Sequence, residues 1–509
     1  MEGKDSFILS LDEGTSSAKA FIIDKKGSII SSGHCPFTQY YPKPGWVEHD
    51  PNEIWTAQKR AINTALETAK ITPSQIESIG ITNQRETTIL WEKKTGRPIY
   101  NAIVWQDRRT SDLIDSFDRD TKDLMKERTG LIPDAYFSAS KIQWILNHVS
   151  DAEQKARKGE ILFGTIDSYL LYKLTNKRIH ATDHSNASRT MIYNINSLEW
   201  DAALLELFKI PETILPQIHD SNTNLGETTD KLFARNIPIS GLIGDQQAAL
   251  FGQRCFQKGM VKNTFGTGNF ILMNIGSEPI KSKNLLTTIA WVLNGQATYA
   301  LEGSVFITGA AVQWLKEIGI IDDTEMIGQI AKKAIDNQGV YFVPAFAGLG
   351  TPHWDQYARG TIIGLTRGTT KEILIRAGLE SICYSSQDIL EHMQNDSSMP
   401  IKKILVDGGG TANDFLLQFH ANISRIPVIR PVQTETTAMG AAFIAGLAVD
   451  YWKDITEIES LMIPSASYHP SMVKEHSDAL YQGWKKAVLH SKGWKKELDL
   501  CGLNTDDQL

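Results

Sequence analysis

Two stretches about 250 residues apart carry the same pattern, and that repetition limits the folds open to the chain. Residues 8–24 read ILSLDEGTSSAKAFIID, two apolar runs around a turn of Asp12, Glu13, Gly14, Thr15, Ser16 and Ser17. Residues 261–274 read VKNTFGTGNFILMN, again a strand, a Gly-Thr turn and a returning apolar strand. Each is locally a β-hairpin, since large and β-branched runs bounded by Gly and Ser turn back on themselves. A repeat at half the chain length predicts a duplicated domain. The chain's 509 residues also exceed what one hydrophobic core serves. The expected division is 1–250 and 251–509, with the junction at SGLIGDQQAALFGQ, a strand running into a helix.

Strand-like segments alternate with helical ones, which predicts α/β architecture. HDPNEIW offers a helix start, with Asp50 as N-cap, Pro51 first in the helix and Glu53 in its first turn. Ile54, Trp55, Ile62 and Leu66 would then be buried. Strands are expected at SIGITNQ, TTILWE and AIVWQ, and a strand, triple glycine and helix in KKILVDGGGTANDFLLQFHANI. TTAMGAAFIAGLAV reads as a helix whose small residues allow close packing. Residues 451–509 read as amphipathic helices with solvated Lys/Glu faces.

A net charge of −7 argues against a general nucleic-acid or anionic-membrane binder, which needs a basic face. Cys35, Cys255, Cys383 and Cys501 are scattered without a CxxC pair, which fits reduced thiols. His180 and His184 stand four apart but have no third ligand near them in sequence. There is no apolar leader at the start and no 18-residue apolar run, so the expectation is a soluble, cytoplasmic protein without membrane insertion.

The common phosphate loops are missing. GxxxxGK[ST] does not occur, and GTGNFI and GGGTAN both fail GxGxxG at their last position. Two hairpin turns, at Asp12–Ser17 and at Gly266–Gly268, could instead clasp phosphates from opposite sides with backbone N–H groups and hydroxyls. The turn Gly408–Gly410 is either a tight strand-to-helix connection or an opening for a flat base and ribose. Asp245, where a strand passes into a helix, reads as a helix cap, as a catalytic base at a strand's carboxyl end, or as both. Arg85 and Glu86 in NQRETT are either a solvated ion pair or a hydroxyl clamp in which Arg donates and Glu accepts. Trp105 and Tyr136 are packing aromatics or the apolar cover of a polyol.

Together these runs resemble the FGGY carbohydrate kinase family of the actin-like ATPase superfamily, from about residue 7 to residue 490. The stretches that carry the resemblance include SLDEGTSSAKAFIID, YPKPGWVEHDP, GITNQRETTILWEK, GDQQAALFGQ, NTFGTGNF, PAFAGLGTPHWD and DGGGTANDFL. NQRET and the WQ and RR of IVWQDRR resemble the glycerol-phosphorylating branch in particular. The resemblance implies two duplicated actin-like (ribonuclease H-like) ATPase domains flanking a catalytic cleft. It implies transfer from ATP to glycerol with Mg²⁺, in a homodimer or larger homo-oligomer. Arg85, Glu86, Tyr136, Asp245 and Gln246 would bind the glycerol hydroxyls, with Trp105 and Phe270 over its carbon face. Thr15, Ser16, Ser17, Lys19 and Thr267 would meet the phosphates, and Gly309, Gln313, Gly409 and Asn413 the nucleoside. Asp245 would be the general base, and Asp12 and Asp245 would position the metal.

Two departures stand out. Glu13 and Lys19 replace the family's usual Gln and Arg. GETTDKLFARNIP (226–238) lacks the glycine-rich loop of relatives inhibited by fructose 1,6-bisphosphate, so no such inhibition is expected. The rival expectations are a sister kinase acting on a pentulose, an actin-like ATPase that needs no acceptor, and a non-catalytic nucleotide-binding module.

Overall fold

The computed structural model describes residues 6–229, 232, 233, 235–266, 268–305 and 307–495. The first hairpin forms as expected. Phe7–Glu13 and Ser17–Ile23 pair antiparallel, with Asp12 opposite Lys19 and Glu13 opposite Ala18. Ile29–Pro36 joins the second of these strands antiparallel. On the other side Ile76–Asn83 and then Ile239–Gly244 add parallel to their neighbours. The two hairpin strands are buried almost throughout, because layers cover both faces of this sheet.

The second sheet repeats that plan strand for strand. Val261–Phe265 and Asn269–Gly276 form the hairpin, and Gln296–Val305 adds antiparallel to the second. Ile404–Asp407 and Val428–Pro431 add parallel beside the first. Leu286–Leu293 and Pro464–Tyr468 extend the two edges. The last of these is a strand where the sequence reading placed only helices. It has no apolar alternation because it is a largely exposed edge, held by backbone pairing to Val428–Pro431. Helices Ile455–Ser460 and Lys474–Ser491 flank it, and residues 496–509 lie outside the described residues.

Helix Pro51–Ala69 starts as its sequence dictates. Asp50 caps it by accepting the Asn52 N–H, and Ile54, Trp55, Ile62 and Leu66 are buried. Helix Asp245–Gly252 has Gly244 at its cap, so Asp245 is its first helical residue and not the cap.

The two halves meet along helices Asp245–Gly252 and Thr436–Ala448. A Cβ on Gly252 would lie 1.9 Å from the Thr436 carbonyl oxygen, and one on Gly440 1.9 Å from that of Ala248. Backbone therefore touches backbone here, which only glycine permits. Ser10 Oγ of the first sheet donates to the Ala438 carbonyl at 2.8 Å, tying that sheet to the same helix. An apolar cluster including Ile8, Phe21, Leu250, Leu272, Leu405, Met439 and Phe443 fills the seam. Among the described residues no helix is long and apolar enough to cross a membrane.

Candidate active site

Both hairpin turns close on their own backbone. The Gly14 N–H donates to the Ser17 carbonyl, and the Gly266 N–H to that of Gly268, each at 3.0 Å. Thr15 is half-buried at the first turn, Ser16 is exposed and Ser17 is buried. Lys19 Nζ sits 3.4 Å from Glu435 Oε2, a half-exposed pair that solvent screens. Thr267, expected at the tip of the second turn, lies outside the described residues. The Gly309 N–H and Thr308 Oγ1 donate to the Gly266 carbonyl at 3.2 and 3.3 Å, which ties that turn to helix Gly309–Glu317.

Beside this turn lies a cavity of about 600 Å³ lined by Gly266, Gly309, Gln313, Gly409 and Asn413, with Ile327 and Leu416 among its apolar walls. Asn413 caps helix Asp414–Ser424, accepting the N–H groups of Phe415 and Leu416. Gly408 takes φ +84°, and a Cβ there would meet the Phe265 carbonyl oxygen at 2.5 Å. The glycine turn thus approaches the second hairpin closely. Next to Gly409 a Cβ would meet nothing within 4 Å, so the cavity is open on that side.

Acid groups crowd the first turn. Burial raises the Asp12 carboxyl to about 7; Lys19 opposes this, while Glu435 and Asp245 add to it. Glu13 is fully buried. Its Oε1 accepts from Gln84 Nε2 at 3.1 Å, and its Oε2 has no partner. Burial pushes this carboxyl well above its ordinary range.

The candidate acceptor site begins at the residues that follow Gln84. Arg85 and Glu86 are both buried, which excludes the solvated ion pair. Arg85 forks onto Glu302, Nη1 to Oε2 at 2.7 Å and Nη2 to Oε1 at 2.9 Å. Its Nε lies 3.0 Å from Asp245 Oδ1. Glu86 Oε1 accepts from Arg189 Nε at 2.6 Å, and Arg189 Nη2 reaches Glu302 Oε1 at 3.1 Å. Burial alone would raise Glu302, but Arg189 and Arg85 outweigh it and hold the carboxyl down to about 2. Glu86 sits at φ +61°, left-handed and strained for a residue with a side chain. Hydroxyls of Ser138 and Thr88 fix it there by donating to its carbonyl at 2.9 and 3.0 Å.

Three aromatic rings stand beside these charges. Trp105 meets Tyr136 edge-on at 5.6 Å between ring centres and Phe270 at 6.4 Å. All three are half-buried. The Trp105 indole N–H donates to Thr15 Oγ1 at 3.0 Å, which ties this candidate site to the first hairpin turn. Asp245 keeps 28% of its side chain exposed, and its Oδ1 also accepts the Gln246 N–H at 2.6 Å. Gln246 faces the second half, where its Oε1 accepts from the buried Lys262 ammonium. Lys262 also donates to Thr264 Oγ1 at 2.9 Å, and burial lowers it to about 8.

The structure thus gathers Arg85, Glu86, Trp105, Tyr136, Asp245 and Phe270 into one site. Arg189, Glu302 and Lys262 belong to the same network and were not anticipated. The one sequence signal for Glu302 was a lone acid inside the apolar strand ATYALEGSV.

A model of the FGGY family of carbohydrate kinases, N-terminal domain, matches residues 7–252, and one of its C-terminal domain matches residues 261–449. The chain belongs to this family. Among curated relatives, a glycerol kinase of Thermococcus onnurineus is 57% identical over 97% of this chain and all of that protein. Glycerol kinase 2 of Thermotoga maritima is 55% identical over 96% of this chain and 99% of that one. Among solved structures, Plasmodium falciparum glycerol kinase with ADP superposes with a TM-score of 0.90 at 36% identity, covering 96% and 98% of the two chains. The FGGY kinase fold, two α/β domains about a cleft, accounts for both sheets and for the cavity between hairpin and glycine turn.

Proposed function

We propose that this FGGY kinase transfers the terminal phosphoryl group of ATP to glycerol, giving sn-glycerol 3-phosphate, the first step of glycerol catabolism. The observation that carries this reading is the acceptor site. A buried donor–acceptor pair, Arg85 and Glu86, stands next to the rings of Trp105, Tyr136 and Phe270, at the edge of a half-exposed Asp245. A three-carbon polyol offers hydroxyls to the pair and carbon to the rings. The names of the relatives at 55–57% identity support the same acceptor.

In this reading Asp245 is the general base, with Oδ1 held by Arg85 and the Gln246 N–H and the second oxygen left for the incoming hydroxyl. Gln246, whose side-chain oxygen accepts from Lys262, is read as a further partner of the glycerol hydroxyls. Thr15, Ser16, Ser17, Lys19 and Thr267 receive the phosphates, and Gly309, Gln313, Gly409 and Asn413 receive the nucleoside. Phosphoryl transfer asks for alignment and charge neutralisation more than covalent chemistry. Mg²⁺ on the nucleotide would supply part of that neutralisation. Among the described residues no three His, Cys, Asp or Glu side chains converge as a metal site. Asp12 and Asp245 nonetheless fit such an ion, because the Asp12 carboxyl is crowded by Asp245 and Glu435 and a nucleotide-bound Mg²⁺ needs only one or two carboxylates. We read the division at residue 250 as that between an acceptor-binding and a nucleoside-binding half, and the protein as a cytoplasmic homodimer or larger homo-oligomer. Light scattering tests that assembly, and a monomeric mass would contradict it.

The test is ADP release from ATP and Mg²⁺ with glycerol, with a panel of pentuloses and hexoses, and without acceptor. Glycerol-dependent release with formation of glycerol 3-phosphate is the expected result. Release with another sugar alone would reassign the acceptor, and release indifferent to acceptor would make the protein an ATPase. Adding fructose 1,6-bisphosphate is expected to leave the rate unchanged; inhibition would show that residues 226–238 do not govern that response.

A further inference from the structure

We propose that Arg189 and Glu302 are positioning residues of the acceptor site, holding the hydroxyl-binding pair Arg85–Glu86 from behind as a counter-charged frame. The inference rests on the polyol reading above and deepens it. Neither residue has any exposed surface. Glu302 belongs to strand Gln296–Val305 of the second sheet, and it takes both terminal nitrogens of Arg85 in one fork. Arg189 follows the short helix His184–Ala187 and bridges the two acids, with Nε on Glu86 and Nη2 on Glu302. Its guanidinium also lies 5.7 Å from the centre of the Tyr136 ring and 5.2 Å from that of Phe137.

The frame has a reason to exist. A guanidinium on a flexible stem binds a neutral hydroxyl in one orientation only if its other donors are already fixed, and a bidentate carboxylate fixes a plane. Arg85 needs Glu302 for that. Glu86 has the opposite difficulty, being an acid with no solvent to stabilise its charge. The charged and titratable groups around it are Arg85, Arg189, Glu302, Tyr136 and Lys141. Burial and Glu302 push its carboxyl upward, and Arg189 is the strongest group opposing them. Arg189 therefore favours the anionic form of Glu86, the form that accepts hydrogen bonds from substrate hydroxyls. The planar fork cannot be copied by an ammonium, so Arg189→Lys should restore little.

The experiment compares wild type, R189M, R189K and E302Q by KM and kcat for glycerol and for ATP between pH 6 and 9, with thermal midpoints alongside. For R189M the glycerol KM should rise roughly 10- to 100-fold, the worth of a charge-assisted hydrogen bond, while the ATP KM stays within about two-fold. Below the raised Glu86 pKa the protonated acid loses its acceptor role. Without Arg189 the Glu86 carboxyl moves further upward, so the glycerol KM of R189M should climb more steeply as pH falls than that of the wild type. R189K should resemble R189M. If R189M does not fold, E302Q keeps the side chain's size and carries the same comparison, with Arg85 freed from its fork and glycerol KM raised. A glycerol KM near the wild-type value in the folded variants would overturn the proposal. So would glycerol and ATP KM rising together with a lowered thermal midpoint, which marks a purely structural role. A wild-type protein that ignores glycerol would instead overturn the polyol reading itself, which the wild-type arm shows separately.

Discussion

Asp245→Asn is expected to leave the fold intact and to cut glycerol-dependent turnover by about 10²–10⁴-fold, the usual worth of a general base. The fold should survive because an amide oxygen can still accept the Gln246 N–H, and Arg85 keeps its fork onto Glu302. Arg85, the buried partner that loses this charge, stays neutralised by Glu302. Turnover should fall because an amide cannot take up the proton of the attacking hydroxyl. Steady-state ADP release and the thermal midpoint, measured on one preparation, separate the two effects. Near-normal turnover with an unchanged midpoint would reduce Asp245 to the residue that starts its helix. Loss of both would leave the base unassigned and show that the charge holds the helix start in place.

Gly440→Val is expected to have the largest effect on stability. Its Cβ would fall 1.9 Å from the Ala248 carbonyl oxygen and 2.6 Å from the carbonyl carbon, and both belong to backbone that cannot swing aside. Helices Asp245–Gly252 and Thr436–Ala448 must then separate, opening the apolar cluster of the seam. Overpacking of this kind costs up to about 3 kcal/mol or more. It should appear as a thermal midpoint lowered by several degrees, or as loss of folded protein. Gly409→Ala is the control, since a Cβ there meets nothing within 4 Å and the backbone is not left-handed. Equal midpoints for the two variants would show that the seam tolerates far more than its geometry suggests.

What the sequence made legible was local. Both hairpins, the Asp50 cap and the buried face of Pro51–Ala69 follow from spacing and turn chemistry within a dozen residues. Arg85, Glu86, Trp105 and Asp245 could be picked out because each sits in a short run of polar residues at the end of a strand. Arg189 and Glu302 could not, because their meaning lies in partners 103 and 217 residues away. Nothing in SNASRTM or ALEGSV states which charge will lie opposite. The Arg85–Glu86 alternative failed for a related reason. Adjacency suggested that the two pair with each other in water, whereas burial made each seek a stronger partner across the site. The edge strand Pro464–Tyr468 went unseen because an exposed edge carries no apolar alternation to mark it.

The repeated sheet shows where the two halves of the chain part company. Both halves join their fourth and fifth common strands by a crossover between parallel neighbours, but the two connections differ greatly in size. In the first half that connection is residues 84–238, and it contains Arg85, Glu86, Trp105, Tyr136 and Arg189. In the second half it is residues 408–427, little more than the glycine turn and one helix, with Gly409 and Asn413 at its start. On the proposed reading, the longer connection carries the acceptor site and the shorter one leaves room for a nucleoside. The two substrates then differ because two crossovers of one shared frame differ in length, and the common strands hold both in register.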